Sequence, residues 1–351
     1  MKKQMMLIGV LLLMLWGMTG CGVSDEIEID NSEKTGVSIQ FGEPDKEDDS
    51  GSDDEGNSEI AGDISDRTDD RTESGRETES APEQKTQPEE TWLYINPDGM
   101  TLGNRICTHE GYTRAEADAD SLTTFLRDYP MKADGAAVLL YDGSLKGNQR
   151  AHTAVFALPI EAENLQQCAD SVMRVYAEYC LQIGQPDKIK FHFTNGFLAD
   201  YTRWRDGQRI TVDGNQISWV NSSGYDDSYQ TFQKYMRMVF AYAGTLSMDT
   251  YESAPIALDE LQVGDVFLKG GSPGHVVMVV DVCENESGDK AFLLGQGYMP
   301  AQEFHVIKNP AHTDDPWYYE EDVTYPFRTP EYTFPEGSLR RLSYLDWSVA
   351  D

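Results

Sequence analysis

The sequence is poor in basic residues. Lys and Arg together number 28 against 61 Asp and Glu in 351 residues, and the formal net charge is −33. A protein that binds the phosphate backbone of a nucleic acid presents clustered Lys and Arg, and the chain lacks such a cluster. The composition therefore excludes nucleic acid as a partner.

The familiar metal and nucleotide motifs are absent as well. The six histidines and five cysteines form no Cys-x-x-Cys, His-x-x-x-His or His-Glu-x-x-His pattern, and these are the spacings of common metal sites. The Gly-rich stretch 270–274 is followed by neither the Lys nor the helix of a phosphate-binding loop. We therefore predict no metal and no cofactor.

Long apolar runs are scarce, and the one over residues 5–15 follows the positive start Met1-Lys2-Lys3. It is too short for a comfortable transmembrane helix and ends in small residues, so we predict an export signal over 1–20. The string Met18-Thr19-Gly20-Cys21 resembles the bacterial lipobox, which implies that Cys21 is lipidated and anchors an extracytoplasmic protein to the membrane. The alternative is an ordinary secretory signal with a spare cysteine.

Residues 22–90 have almost no large apolar side chains. This stretch holds 24 acidic and 6 basic residues, a net charge of −18. Such a segment cannot bury enough apolar surface to offset the entropy lost on ordering. We therefore predict a disordered acidic tether over 21–90 and a single globular domain over 91–351.

Cysteine is also scarce, with residues at 21, 107, 168, 180 and 283. If Cys21 is lipidated, the other four could form two disulfides on count alone, although a domain of this size does not need them. The pairing of Cys107, Cys180 and Cys283 stays open. An unpaired cysteine in an exported protein can also serve chemistry.

The pattern of the globular part predicts helices over 114–126, 164–179 and 227–248. In the second of these, Asn164 is a candidate N-cap, so Cys168 falls near the first turn. The exposed amides and positive dipole at that end favour a thiolate. The alternative is that Cys168 is a small core residue on the apolar stripe.

The clearest strand pattern covers residues 264–282. A β-rich run breaks at Gly270-Gly271-Ser272-Pro273-Gly274 and resumes as His-Val-Val-Met-Val-Val, which predicts a hairpin with His275 opening its second strand. Gln296 ends the next predicted strand. An imidazole with a fixed backbone suits a general base, although a core histidine bonded to a backbone carbonyl is the simpler alternative.

Cys168, His275 and Gln296 stand in the order of nucleophile, base and orienting polar group. A helix that opens with Cys, followed by a meander in which Gly-Asp-Val-Phe leads to Gly-His-Val, resembles the NlpC-type cell-wall peptidases and CHAP amidases. This resemblance implies an α+β, papain-like fold, in which the helix bearing Cys168 packs on an antiparallel sheet. An insertion at about 185–260 elaborates that fold.

A second resemblance covers nearly the whole globular part. It is carried by strings such as Leu165-Gln166-Gln167-Cys168-Ala169-Asp170, Phe193-Thr194-Asn195-Gly196-Phe197 and Gly271-Ser272-Pro273-Gly274-His275. The chain resembles the family known as domain of unknown function 4846, found mainly among bacterial exported proteins and lipoproteins. That likeness implies kinship and names no activity.

Two functions are consistent with these patterns. The first is a membrane-anchored extracytoplasmic cysteine hydrolase that cleaves amide bonds, with cell-wall peptide as the expected substrate. The second is a catalytically inactive relative that binds peptide or glycan through the segment 197–219. Within that segment we predict substrate contacts from Arg203, Trp204 and Trp219, since Trp and Arg are frequent in binding surfaces; covering the core is the alternative.

Overall fold

The computed structural model of the chain describes residues 94–312 and 314–346. The predicted export signal over 1–20, the predicted lipid acceptor Cys21 and the predicted tether over 21–90 lie outside the described residues. Within the described part, no helix is long and apolar enough to cross a membrane.

The described residues form six α-helices and fifteen strands, and all six helices precede β7. The α-helices are α1 (Leu102–Arg105), α2 (Leu122–Arg127), α3 (Cys168–Gln182), α4 (Tyr201–Arg205), α5 (Tyr229–Tyr242) and α6 (Thr245–Tyr251). The strands are β1 (Tyr112–Thr113), β2 (His152–Val155), β3 (Lys190–His192), β4 (Leu198–Asp200), β5 (Gln208–Asp213), β6 (Gln216–Asn221), β7 (Ser253–Pro255), β8 (Val266–Lys269), β9 (His275–Asn285), β10 (Lys290–Gln296), β11 (His305–Ile307), β12 (Tyr318–Tyr319), β13 (Phe327–Arg328), β14 (Thr333–Phe334) and β15 (Leu339–Leu342).

The main sheet is antiparallel, and its strands follow the order β2-β11-β10-β9-β8-β15-β7, with β1 paired to β9 and β12 paired to β10. Strand β9 is central and is buried on both faces. Val276, Met278 and Val280 join the helix-side core, whereas Val277 and Val279 join a second core on the opposite face. This explains why the run reads as continuously apolar instead of alternating. The fold is therefore α+β, as predicted.

The predicted hairpin is confirmed. β8 and β9 pair antiparallel, and Lys269 stands opposite His275 at the turn. The next predicted strand is confirmed as β10, which ends at Gln296. Because β10 pairs with β9 along most of its length, the end of β10 lies beside the start of β9.

Helix α3 packs on β9 and β10, and its buried positions include Val172, Val175 and Tyr179. The predicted N-cap was wrong. The cap is Gln167, and Cys168 is the first helical residue. Asn164 instead accepts a hydrogen bond from the backbone N–H of Ala301 at 2.7 Å, which ties the chain before α3 to the segment after β10.

The other two helix predictions were too long. The first begins only at Leu122, where the Ser121 hydroxyl accepts from the Thr124 N–H. Residues 115–120 alternate Ala with acidic residues and offer no helical apolar stripe. The second divides into α5 and α6 at Ala243 and Gly244, because an extended Gly244 cannot continue the hydrogen bonding of α5.

The region predicted as an insertion at 185–260 is integrated into the fold. Phe191, Tyr201 and Phe232 belong to the same helix-side core as α3. At its end, β7 pairs with β15 on the edge of the main sheet. The hairpin of β5 and β6 is separate from the main sheet and turns at Gly214 and Asn215.

Candidate functional site

The start of β9, the end of β10 and the start of α3 meet at one end of the sheet. Two glycines permit this approach. A Cβ on Gly274 would lie 2.3 Å from the Gly271 carbonyl oxygen, and a Cβ on Gly297 would lie 2.3 Å from the Ser171 hydroxyl and 2.8 Å from the Gln167 carbonyl oxygen. All three distances are below contact, so the hairpin turn can close at Gly274, and the start of α3 can lie against the end of β10 at Gly297, only because these residues are glycines.

His275 is held at this junction by a side-chain hydrogen bond and by aromatic rings. Its Nε2 lies 2.9 Å from Gln296 Oε1, and its ring centroid lies 4.8 Å from that of Tyr298 and 4.9 Å from that of Tyr332. The residue is 2% exposed. Burial lowers the pKa of His275 to about 4, against a smaller rise caused by Gln296. The ring is therefore neutral at pH 7.

The Gln296 side chain is wholly buried and belongs to a chain of polar groups. Its Nε2 donates to Glu331 Oε2 at 2.7 Å and lies 3.4 Å from His305 Nε2. Lys146 Nζ donates to the same Glu331 oxygen at 2.5 Å. Each group that faces the Gln296 amide is thus itself tied to a partner.

Cys168 and His275 are linked through the backbone of β9. The N–H of Val276, the residue after His275, lowers the pKa of the Cys168 thiol, as do the N–H groups of Ala169 and of Cys168 itself. Burial and, second, the charge of Asp170 outweigh them and raise the pKa of Cys168 to about 12. The helix start therefore acts as predicted but does not by itself produce a thiolate.

Asp170 is the closest acidic side chain in the first turn of α3. Its Oδ2 accepts the Gln167 N–H at 3.0 Å, and burial raises the pKa of Asp170 to about 8. The group is therefore mostly protonated at pH 7, which limits its charge beside the thiol.

Cys168, Tyr298 and Tyr332 are half-buried, whereas His275 and Gln296 are fully buried. The Cys168 thiol itself is shielded from solvent, since burial is the largest cause of its raised pKa. Burial raises the pKa of Tyr298 and of Tyr332, and nearby Cys168 adds to both shifts. The two tyrosines thus lie near both the thiol and the imidazole.

The arrangement is suited to acyl transfer. A thiol at a helix start has amide donors around it, a neutral imidazole can accept its proton, and an amide oxygen holds the far ring nitrogen. Because His275 Nε2 is engaged with Gln296, Nδ1 is the nitrogen left for proton transfer. The resting pair is a thiol and a neutral imidazole, so the proton would move during attack.

The three predicted substrate-binding residues lie in another part of the fold. Trp204 is 5% exposed, its Nε1 donates to the Thr231 carbonyl, and Arg209 covers its ring at 4.5 Å, so it packs the core. The Arg203 guanidinium lies 4.6 Å from the ring centroid of Trp219, and that ring contacts Phe197 at 5.8 Å. Arg203 and Trp219 form a surface pair.

Sequence reasoning missed Lys146, Glu331 and Tyr332 and gave no role to His305. Lys146 and Glu331 sit in irregular segments 185 residues apart, with no motif around them. Only His305, which opens the short strand β11 as His275 opens β9, had a signal that could have been used.

Two other chemistries find no support at this end of the sheet. Gly270-Gly271-Ser272-Pro273-Gly274 has the Gly-x-Ser-x-Gly spacing of serine hydrolases, but it joins two antiparallel strands, whereas their nucleophile stands on a strand-to-helix turn. Among the described residues, no group of three or more His, Cys, Asp or Glu could hold a metal ion. The four described cysteines are free thiols.

A separate cleft of about 510 Å³ lies along the C-terminal segment and is lined by Tyr318, Asp322, Tyr325 and Arg328 among others. It includes none of Cys168, His275 and Gln296. Its walls bring together no nucleophile and base. The chemistry of the side chains, and not the size of the hollow, therefore locates the candidate site.

Comparison with known proteins adds one finding. The model of a protein family described as "Domain of unknown function (4846)" matches residues 102–341, which include the whole candidate site. No curated protein and no solved structure matches the chain.

Proposed function

Because the chain belongs to the family described as "Domain of unknown function (4846)", which names no activity, we propose a function from the geometry of the site. The protein is a cysteine hydrolase of papain-like fold that cleaves amide bonds. Cys168 is the nucleophile, His275 is the general base and acid, and Gln296 orients the imidazole.

One observation carries this proposal. His275 Nε2 donates to Gln296 Oε1 at 2.9 Å, and the backbone N–H of the next residue along β9 is one of the groups that lower the pKa of the Cys168 thiol. A base that is held by an amide oxygen, one residue before a backbone amide that acts on a thiol, suits thiol-dependent acyl transfer. Packing alone gives no reason for three polar groups to meet at buried positions.

The reaction follows from these positions. The Cys168 sulfur attacks the carbonyl carbon as its proton passes to His275 Nδ1. The carbon–nitrogen bond then breaks, His275 gives the proton to the departing amine, and a thioester remains on the sulfur. Water attacks the thioester with His275 taking its proton, the carbon–sulfur bond breaks, and the carboxylic acid product leaves as the thiol is restored.

The order of elements supports the papain-like assignment. The nucleophile opens α3, the base opens β9, the orienting residue ends β10, and α3 packs on these two strands. This is the arrangement that the resemblance to NlpC-type peptidases implied.

The proposed substrate and the proposed location are based on the sequence alone. With a lipobox-like string ending at Cys21 and an acidic stretch over 22–90, the domain would stand on a tether outside the cytoplasm, where cell-wall peptide is the amide substrate at hand. Incorporation of labelled fatty acid into the wild-type chain, and its loss in Cys21→Ser, tests the anchor.

Thiol labelling tests the catalytic assignment. The full chain is treated with a peptide-based electrophile at pH 7, and modified cysteines are located by mass spectrometry. We expect modification at Cys168 that slows at least about 100-fold in His275→Ala, since the base then cannot take the proton. His312→Ala, the same substitution at a histidine outside the site, should label like wild type. Equal labelling of several cysteines, or of none, would contradict the proposal that the protein is a cysteine hydrolase.

A second function is favoured by one specific observation. Burial raises the pKa of Cys168 to about 12 and lowers that of His275 to about 4, so the resting thiol is not ionised. A protein that only binds peptide or glycan, through the surface pair Arg203 and Trp219, would have no need of a thiolate. In that case purified peptidoglycan should bind the wild-type chain, fail to bind an Arg203→Ala/Trp219→Ala variant, and be left uncleaved.

A further inference from the structure

We propose that Glu331, with Lys146 and His305, is a positioning group that fixes the Gln296 amide and thereby sets which nitrogen of His275 carries the proton. The catalytic meaning of this assignment rests on the proposed hydrolase. The assignment itself rests only on which groups can donate and which can accept hydrogen bonds.

His305 is a neutral ring with one fixed donor. Its Nδ1 lies 2.8 Å from the backbone carbonyl oxygen of Glu303, and a carbonyl can only accept, so Nδ1 carries the hydrogen. Burial keeps the His305 ring neutral by lowering its pKa well below the usual value. The other nitrogen, Nε2, is therefore an acceptor.

Lys146 donates to both of its neighbours in this series. Its Nζ lies 3.3 Å from the acceptor nitrogen of His305 and 2.5 Å from Glu331 Oε2, and an ammonium only donates. Burial lowers the pKa of Lys146, and Glu331 opposes that shift. Lys146 thus balances the charge of a carboxylate whose side chain is only 11% exposed.

Two acceptors fix the orientation of the Gln296 amide. One of its terminal atoms lies 2.7 Å from Glu331 Oε2 and 3.4 Å from His305 Nε2. Both neighbours are acceptors, so the atom between them must be the NH₂ nitrogen. The amide oxygen then faces His275 Nε2, and a flipped amide would place its oxygen against two acceptors.

The orientation of the Gln296 amide determines the tautomer of His275. Its Nε2 faces an oxygen that can only accept, so Nε2 carries the hydrogen and Nδ1 keeps its lone pair. That lone pair is what the proposed base needs to take the proton of Cys168. The series of hydrogen bonds thus runs from the Glu303 carbonyl to His275, and the donor and the acceptor of each bond are determined.

Glu331 is the member whose loss most weakens this order. Its carboxylate accepts a charge-assisted hydrogen bond from the amide, whereas the alternative acceptor His305 lies at 3.4 Å, a weaker distance. Removing one such bond shifts an equilibrium by about tenfold or more. In Glu331→Gln the new side chain can donate as readily as accept, so both orientations of Gln296 become populated.

Imidazole ¹⁵N NMR of the full chain with labelled histidine tests this directly at pH 7, because nitrogen shifts distinguish the two neutral tautomers. Signals are assigned by removing His275 and His305 in turn. In the wild-type protein we expect His275 as the Nε2–H form and His305 as the Nδ1–H form. In Glu331→Gln we expect the Nδ1–H form of His275 to rise at least about tenfold.

Glu336→Gln is the matched control, since it removes one carboxylate from an exposed position of the same segment; it should match wild type. A Lys146→Met/Glu331→Leu variant removes the buried pair without leaving a lone charge and should also show mixed His275 tautomers. An Nδ1–H His275 in the wild-type protein, or an unchanged tautomer in both variants, overturns the proposal. If Glu331→Gln does not fold, the wild-type spectrum and the double variant still decide.

Failure here and failure of the hydrolase are distinguishable. The tautomer is read without any substrate, whereas the hydrolase is read by His275-dependent modification of Cys168. If both hold, Glu331→Gln should lower kcat with little change in KM, because the positioning group acts on the base and not on the substrate.

Discussion

Polar groups are buried at the junction of α3, β9 and β10, whereas the surface pair holds its charged group in water. The surface pair consists of Arg203 and Trp219. At the junction, one series of donors and acceptors is matched in a single order, from Lys146 through Glu331 and Gln296 to His275. At the surface pair, a guanidinium lies over an indole ring at 4.6 Å and remains open to water.

The difference shows which observation indicates chemistry. An exposed arginine over an aromatic ring is inexpensive and common, and it contributes modestly to stability. Buried polar groups are costly unless each is satisfied. A connected set of them beside a half-buried thiol is therefore the more informative of the two regions.

The sharpest test of this comparison is loss of reactivity. Cys168→Ala should lower hydrolysis of a peptide amide by at least about 1000-fold, since it removes the nucleophile. Arg203→Ala/Trp219→Ala should keep catalysis within about tenfold of wild type. Turnover measured for the full chain decides between them, and the reverse ranking would place the function in the surface pair.

The next largest effect separates core from surface within the 197–219 segment. Trp204→Ala should destabilise the fold by about 3–5 kcal/mol, because it empties a buried aromatic site. Trp219→Ala, at a half-buried ring, should cost clearly less. Denaturant unfolding gives both free energies, and equal losses would contradict the core position of Trp204.

Acid should weaken the junction more than the surface pair. The folded-state pKa of His275 is about 4, below the unfolded value of about 6.5. The stability that this depression represents is fully present above pH 6.5 and is lost as pH falls toward 4, by roughly 2 kcal/mol at pH 5. His305 shifts in the same direction.

Unfolding free energies of wild type and His275→Gln between pH 8 and pH 5 isolate this loss, because Asp170, whose pKa burial raises to about 8, acts in the opposite direction in both proteins. The wild-type protein should lose more stability, or gain less, than His275→Gln as pH falls, and Arg203→Ala should behave like wild type. The same pH dependence in wild type and His275→Gln would show that the His275 ring is not held neutral.

The smallest effect belongs to the surface pair itself. Arg203→Ala should cost about 0.5–1 kcal/mol, the value of an exposed cation–π contact. Arg203→Lys, which keeps the charge and loses the planar group, provides the matched comparison. A loss above about 2 kcal/mol would mean that the pair does more than cover the surface.

The sequence predicted the three central residues of the junction because each marks the end of a regular element. His275 follows a Gly-rich break, Gln296 ends an apolar run, and Cys168 opens an amphipathic stretch. The approach of Gln296 to His275 follows from antiparallel pairing of β9 and β10. Lys146 and Glu331 could not be predicted in the same way, since irregular segments carry no periodicity that fixes where they return to the sheet.

The sequence pattern also could not predict how deeply each residue is buried. The position of Cys168 at a helix start favoured a thiolate, and the amides do act in that direction, yet burial raises its pKa to about 12. Similarly, Trp204 and Trp219 look alike in the sequence, and only packing assigns one to the core. Local patterns predict elements well, whereas desolvation depends on every segment that covers a residue.

Gly297 carries no reactive atom, yet it sets the spacing on which the junction depends. With the Ser171 hydroxyl 2.3 Å from where its Cβ would stand, the helix that begins at Cys168 is seated against the sheet to within the width of one methyl group. The close seating of this helix start is in this sense encoded by a missing side chain, and adding even one carbon at Gly297 would push Gln167 and Ser171, the neighbours of Cys168 on α3, away from the end of β10.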